Sequence, residues 1–304
     1  MQIQSKDIER LVVQAGFDIF GITRAEYLPK GESHFCDWLE RGYGDSLEYM
    51  QRYKELRFDA SKLLPEGRSV VVCGVNYKSR YSIAKGRNNG AGVASYALMR
   101  DYHKTIRKRL KGVLKQIQSL YPQTEGRVFT DSAPLLEKQL ALNAGIGWIG
   151  RQSLIINPQF GSFILLGEII LDKEVDQYNE RIVANGCGEC RRCIESCPVG
   201  AINEERMVDA RICIASRTIE MEQAGELTLD GWAFGCDTCQ NCCPHNRLTP
   251  IAVADDMQPI VTPPTDDEWM AMEQADFEKI AAGTPLKRSS LQRIQQNIRK
   301  NRGL

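Results

Sequence analysis

Nine of the eleven cysteines fall between Cys187 and Cys243, most of them in two short runs. In the first, CGECRRCIESCP, Cys187, Cys190, Cys193 and Cys197 stand at the C-x2-C-x2-C-x3-C-P spacing that holds iron–sulfur cubanes. Three thiolates so close together reach three irons of one cluster, while the fourth is directed to another. The second run, CDTCQNCCP, supplies Cys236, Cys239, Cys242 and Cys243 and also ends in proline. Zinc sites use paired C-x2-C units but do not call for three in a row closed by Cys-Pro. The start of the chain lacks a secretory pattern, so the expected compartment is the cytoplasm, where thiols stay reduced and disulfides are rare. The runs predict two [4Fe-4S] clusters, a wire for single electrons.

The ligand count leaves a choice. Cys187, Cys190 and Cys193 take one cluster with Cys243, the Cys-Pro cysteine of the other run. The second cluster takes Cys197 and three more. A literal ferredoxin reading uses Cys236, Cys239 and Cys242 and leaves Cys213 spare; the other uses Cys213, Cys236 and Cys239 and leaves Cys242 spare. Spacing leans to the first, because Cys242 completes a second C-x2-C-x2-C.

A wire needs a terminus, and the rest of the 304 residues must position it. The first 175 residues mix helical and strand patterns: a helix over 6–15, a buried strand over 69–77, a strand over 127–131, and two strands joined at a Pro/Gly turn within 154–171. From Asp101 to Lys115 the apolar residues Tyr102, Ile106, Leu110 and Val113 recur at helical spacing, leaving Lys104, Arg107, Lys108, Lys111 and Lys115 on the other face. That face is either solvated or a footprint for nucleic-acid phosphates. Net charge is zero, yet 250–278 carries acids without Lys or Arg, and 285–304 carries six bases without an acid. A boundary falls near residue 180, and helix returns from about Asp267. No apolar run approaches the roughly 18 residues of a membrane span. Gly145-Ile-Gly147-Trp-Ile-Gly150 is a literal G-x-G-x-x-G, but the preceding APLLEKQLALNAG reads as a helix capped at Asp131-Ser132, so Gly145 is better taken as its C-cap than as a dinucleotide loop. Cys73, within VVVCGV, reads as core; Cys36 has no assigned role.

Several segments together resemble the epoxyqueuosine reductases, cobalamin-dependent iron–sulfur enzymes that complete queuosine in tRNA. They are RFDASKLLPEGRSVVV, ASYALMRDYHK, FTDSAPLLEKQLALNAGIGWIGRQSLIINPQFGSFILLGEI, both cysteine runs, RICIASRTIE and TPLKR, in the family's order over nearly the whole chain. The resemblance implies an α+β protein. A nitroreductase-like cobalamin-binding domain (1–175) precedes a ferredoxin-like two-[4Fe-4S] domain (176–250) and a short helical C-terminal segment (251–304). Many members continue into a helical-repeat domain that helps grip tRNA, and this chain is expected to end before it, its basic end then a candidate to share that task. The family segment usually reads close to CISYLTIE, so Ala215 and Arg217 are departures that touch a cofactor or substrate contact. Since the family's second cluster uses the cysteine matched by Cys213, the resemblance assigns Cys197, Cys213, Cys236 and Cys239 to it and makes Cys242 surplus.

The resemblance also implies the chemistry: cob(II)alamin is reduced by the clusters, themselves fed by an external low-potential donor, and the epoxide leaves as water. Asp131 matches the family's proton donor; a helix N-cap is its structural alternative. A catalytic acid near neutral pH calls for a raised pKa. Arg57, Tyr96, Asp131, Ile155, Leu166, Ala215, Cys236 and Asp237 are implied cobalamin contacts, with Tyr102 and His103 near the substrate; alone, His103 on a basic helix reads as solvated or packed. The rival readings are a dehalogenase-like cobalamin enzyme and an electron-transfer module without its own substrate.

Overall fold

The computed structural model describes residues 2–83, 90, 92–182, 186–221 and 225–304. Its frame is an antiparallel sheet in the order Ile19–Arg24, Ser69–Asn76, Ile164–Leu171, Gly126–Phe129. The Ser69–Asn76 strand is buried along its whole length because both faces of the sheet are covered. Its alternate residues Val71, Cys73 and Val75 meet the helices Ser5–Gln14 and Tyr102–Leu120, through Ile8, Leu11, Ile106, Leu110 and Val113. Val70 and Val72 point the other way, toward Leu140 and Ala141 of the helix Glu137–Asn143. The two-residue period of a strand divides one apolar run between two cores. Cys73 is fully buried among them, as its sequence context predicts.

The helices over 6–15 and 101–115 are present within a few residues of expectation, the second running on to Leu120. Two expectations need correction. The segment after Phe129 does not enter a helix at Asp131-Ser132: the helix begins at Glu137, and Asp131 caps nothing. Its other end behaves as expected. Gly145 at φ +70° closes a Schellman turn, with Gly145 N–H donating to Leu142 and Ile146 N–H to Ala141. The second correction concerns 154–171. Ile155–Ile156 pairs with Trp148–Ile149, whereas Ile164–Leu171 joins the main sheet, so the two strands part company across the Asn157–Gly161 turn.

The cysteine-bearing region is built of short pieces, including the helices Arg192–Glu195, Ile214–Ile219 and Thr238–Asn241. A parallel pairing of Gly92–Val93 with Trp232–Phe234 stitches it to the first region. The C-terminal helices Asp266–Ala271, Gln274–Ala281 and Leu291–Asn301 are not a loose tail. Trp269, Phe277, Ile294 and Ile298 share a core with Ala97, Leu98, Ala233 and Phe234. Asn297 and Asn301 donate side-chain amides to the carbonyls of Ala233 and Trp232, satisfying the free edge of that short strand.

Candidate active site and cluster-binding loops

Asp131 stands two residues beyond the strand Gly126–Phe129, with φ +55°, a region that a non-glycine residue enters only when its surroundings hold it there. The first turn of the helix Tyr102–Leu120 does much of the holding. Tyr102 Oη donates to Asp131 Oδ2 at 2.6 Å, and His103 Nε2 lies 3.1 Å from the same oxygen. Asp101 caps that helix through the His103 N–H and also binds His103 Nδ1 at 2.9 Å, orienting the ring. The Asp131 N–H donates to Glu137 Oε1 at 2.5 Å. His103 is therefore not a bystander on a solvated helix.

The charges follow from these bonds. The His103 hydrogen bond holds the Asp131 carboxyl below its usual range against the opposing effect of burial, and Tyr102 adds to it. His103 is raised in turn, chiefly by Asp131. The upward shift expected of an isolated catalytic acid at Asp131 is thus reversed: the proton of the pair rests on the imidazole. Burial and the Asp131 charge keep the Tyr102 hydroxyl protonated.

Beside this constellation lies a cavity of about 250 Å³ whose walls include His103, Lys104, Lys287 and Arg288. Arg288 pairs with Glu220 at 2.7 Å. Tyr96 feels Arg288, Asp237, Asp131 and Glu220, while Tyr49 feels Glu220, Arg288, Asp131 and Arg57. The predicted residues Arg57, Tyr96, Asp131 and Asp237 accordingly fall along one electrostatic seam with Glu220 and Arg288. Their roles in it differ. Arg57 is buried and donates to the carbonyls of Met50 and Tyr49, so it braces that turn. Asp237 is buried and accepts from the Ser95 N–H and hydroxyl at 2.7 and 2.8 Å. Ile155 and Leu166 point into the core, leaving backbone as the surface they can offer. Ala215 is half-buried, and the neighbouring Ser216 hydroxyl is buried without a hydrogen-bond partner among the described residues. Arg217 turns away from the seam: it is buried and donates to the carbonyls of Leu227 and Thr228.

The thiols form two adjoining neighbourhoods. Cys187, Cys190, Cys193 and Cys243 line one small cavity together with Gln152 and His245. Cys239 is influenced by Cys236 and Cys213, and Cys213 by Cys197. Cys242 lies near the first group, and its Sγ donates to the Cys239 carbonyl at 3.4 Å. Cys242 is felt by both Cys193 and Cys239, so the nine clustered thiols form one continuous region with enough ligands for two cubanes.

Residues 57–132 match the family description "Epoxyqueuosine reductase QueG, DUF1730", and 186–246 match "4Fe-4S double cluster binding domain". Among curated proteins, the epoxyqueuosine reductase of Cyclobacterium marinum is 34% identical, the alignment covering 96% of this chain and 94% of that protein. The chain belongs to the epoxyqueuosine reductase family. The Escherichia coli (strain K12) epoxyqueuosine reductase is 37% identical over 97% of this chain and 79% of its own length. A crystal structure of epoxyqueuosine reductase with an epoxyqueuosine-modified tRNA-Tyr stem loop superposes with a TM-score of 0.85, covering 97% of this chain and 80% of that one at 23% identity. As an epoxyqueuosine reductase the protein is an oxidoreductase of queuosine biosynthesis that carries two [4Fe-4S] clusters and converts epoxyqueuosine to queuosine in tRNA. Family membership removes the dehalogenase and bare electron-transfer readings.

Sequence reasoning missed several residues of this reductase's site. Lys287 and Arg288 reach the cavity only because the C-terminal segment folds back, with Asp101 N–H donating to Gly283 O at 2.7 Å. TPLKR was the available signal for them. Glu137 reads as an ordinary helical residue, and Glu168 as a stray acid in an apolar strand.

Proposed function

We propose that the seam bordered by Arg57, Tyr96, Ser216 and Asp237 takes cobalamin, and that Asp131 and His103 supply protons to the epoxide beside it. A half-buried tyrosine and a buried hydroxyl without a partner among the described residues suit a large amide-fringed macrocycle. Cobalamin brings a strong low-potential nucleophile; the chain orients it, feeds it electrons and manages protons. Cys187, Cys190, Cys193 and Cys243 would hold one cluster, and Cys197, Cys213, Cys236 and Cys239 the other, with an external low-potential donor behind them. The ligand split rests on the two thiol neighbourhoods and on the hydrogen-bonded Cys242. In domain terms, 1–175 binds the cofactor, 176–250 the clusters, and 251–304 closes the seam. Among the described residues no helix is long and apolar enough to cross a membrane, in keeping with work on cytoplasmic tRNA.

The reaction takes two electrons and two protons and yields an alkene and water. Opening the epoxide develops negative charge on oxygen, which a positioned acid meets by donating a proton. The bond to Asp131 raises the affinity of the His103 imidazole for that proton, with Tyr102 fixing the carboxylate and Asp101 the ring. The observation that carries this reading is the convergence of three side chains on Asp131 beside a cavity with a basic wall. The experiment is anaerobic incubation with reductant, cobalamin and tRNA bearing the epoxide, followed by mass spectrometry of the digested nucleosides. Loss of one oxygen only when cobalamin is present is expected. Conversion without cobalamin would overturn the cofactor assignment.

A further inference from the structure

Behind Asp131 lies a pair of acids that the reaction as described leaves unused. Glu168 belongs to the strand Ile164–Leu171 and is fully buried on the face that carries Leu166 and Ile170. Among the described residues, no N–H or hydroxyl reaches either of its carboxyl oxygens. The carboxyl of Glu137, at the start of the helix Glu137–Asn143, lies close enough for its charge to raise Glu168. Two carboxyl groups bond to each other only when one keeps its proton. Glu137 also accepts from the Asp131 backbone N–H, and Asp131 is the residue held in a left-handed conformation.

We propose that Glu137 and Glu168 share one proton as a carboxyl pair, and that the pair locks the Asp131 backbone and sets the charge behind the proton donor. They are then positioning residues for epoxide reduction, a role that rests on the reading of Asp131 as part of the proton source. Burial raises both groups, Glu137 to about 7 and Glu168 well above its ordinary value, with the Asp131 charge adding to each. The charged or titratable groups facing them are Asp131 from its loop, Lys138 on the same helix, Tyr102 from the long helix and Cys73 from the adjacent strand. Lys138 donates to the Ser153 carbonyl.

The consequence has a sign. Below about 7 both carboxyls are neutral. As the pH rises through that value Glu137 ionises, while Glu168 keeps its proton and donates to it. The Glu137 carboxylate then grips the Asp131 N–H by a charge-assisted bond, and its negative charge favours retention of the proton on the Asp131–His103 pair. Turnover should therefore climb through neutral pH.

The test uses holoenzyme labelled with 13C-glutamate and two readouts. The first is the infrared carbonyl stretch of a protonated glutamate, which needs no substrate. It should persist above neutral pH in the native protein and vanish in Glu168→Gln. The second is the pH profile of single-turnover epoxide reduction. Glu168→Gln keeps a donor to Glu137 but not the shared proton, so it should keep the fold and the rising limb while losing part of the rate that Glu137→Gln loses. Glu137→Gln should lose the limb and about tenfold to hundredfold in rate, the scale of a slightly misplaced catalytic group. Absence of the protonated band, or an unaltered rate and profile in Glu137→Gln, overturns the proposal. If the native protein reduces no epoxide, the functional reading fails while the infrared band still decides whether the pair exists.

Discussion

Asp131 and His103 define each other's charge, and this makes their behaviour measurable without substrate. The carboxyl is lowered from 3.8, chiefly by His103, so its contribution to folding is complete above that value and is lost as the pH falls through the lowered one. The imidazole is raised from 6.5, chiefly by Asp131, so its contribution is complete below 6.5 and is lost as the pH rises through the raised value. The pair is therefore intact across the window between them. In Asp131→Asn the His103 titration, followed by histidine NMR, should fall back toward the ordinary value, turnover should vanish, and iron and cobalamin should stay bound. Retained turnover would remove Asp131 from the chemistry. The cysteines allow an equally direct measurement. Cys242→Ala should keep the iron content of both clusters, while Cys213→Ala should lose the second cluster in iron analysis and electron paramagnetic resonance; the reverse pattern restores the literal ferredoxin spacing. At this scale the sequence was uneven as a guide. The thiols declare themselves by spacing because a cubane demands close ligands. Asp131 does not, since Asp before Ser-Ala-Pro is also a good helix start, and only folding brings Tyr102 and His103 from 29 and 28 positions away to claim its carboxylate.

The elements show what periodicity captures and what it cannot. Strand and helix patterns reported the two sheet-covering helices and the buried central strand, because each face meets a continuous core. They did not report that Ile155–Ile156 and Ile164–Leu171 serve different sheets, since pairing partners are non-local and leave no local trace. The same limit hid the packing of the expected C-terminal helix, Leu291–Asn301, whose amphipathic pattern says that one face is buried but not against what. Its Ile298 is fully buried, and its Asn297 amide holds the Ala233 carbonyl at 2.8 Å. Ile298→Ala should cost about 2–5 kcal/mol through transfer and cavity terms. Asn297→Ala should cost about 1–3 kcal/mol by leaving a buried carbonyl unmet. Denaturant unfolding checks both. Because the helix also clamps the strand Trp232–Phe234, which leads directly to Cys236, the same variants should speed cluster loss on exposure to air. Unchanged stability would make the segment the loose tail that sequence alone suggests.

Across the whole molecule, charge is divided between internal use and display. The basic C-terminus invites a role in gripping RNA, but most of it is already engaged. Arg288 pairs with Glu220, Arg302 with Asp266 and Asp267, Arg293 donates to the Arg217 carbonyl, and Lys300 to Glu226. The acidic stretch before it supplies some of those partners, which explains how opposite runs coexist at zero net charge. The helix Tyr102–Leu120 differs: Lys104, Arg107, Lys108, Lys111 and Lys115 are all exposed. Its first turn carries Tyr102 and His103 to Asp131, and a rise of about 1.5 Å per residue puts Lys108 and Lys111 roughly 9–14 Å along the axis from Tyr102. With the modified base at Asp131, as proposed, this face lies within reach of the flanking phosphates of an anticodon loop. Reversing Lys108 and Lys111 to Glu should therefore weaken tRNA binding uniformly across sequences and flatten the dependence of log K on log salt by about one to two, the share of two phosphate contacts. Both residues are exposed and distant from the cores, so stability and cluster content should be unchanged. Binding with the native salt slope would return the helix face to plain solvation and leave Lys104, Lys287 and Arg288, at the cavity itself, as the phosphate contacts to reverse next.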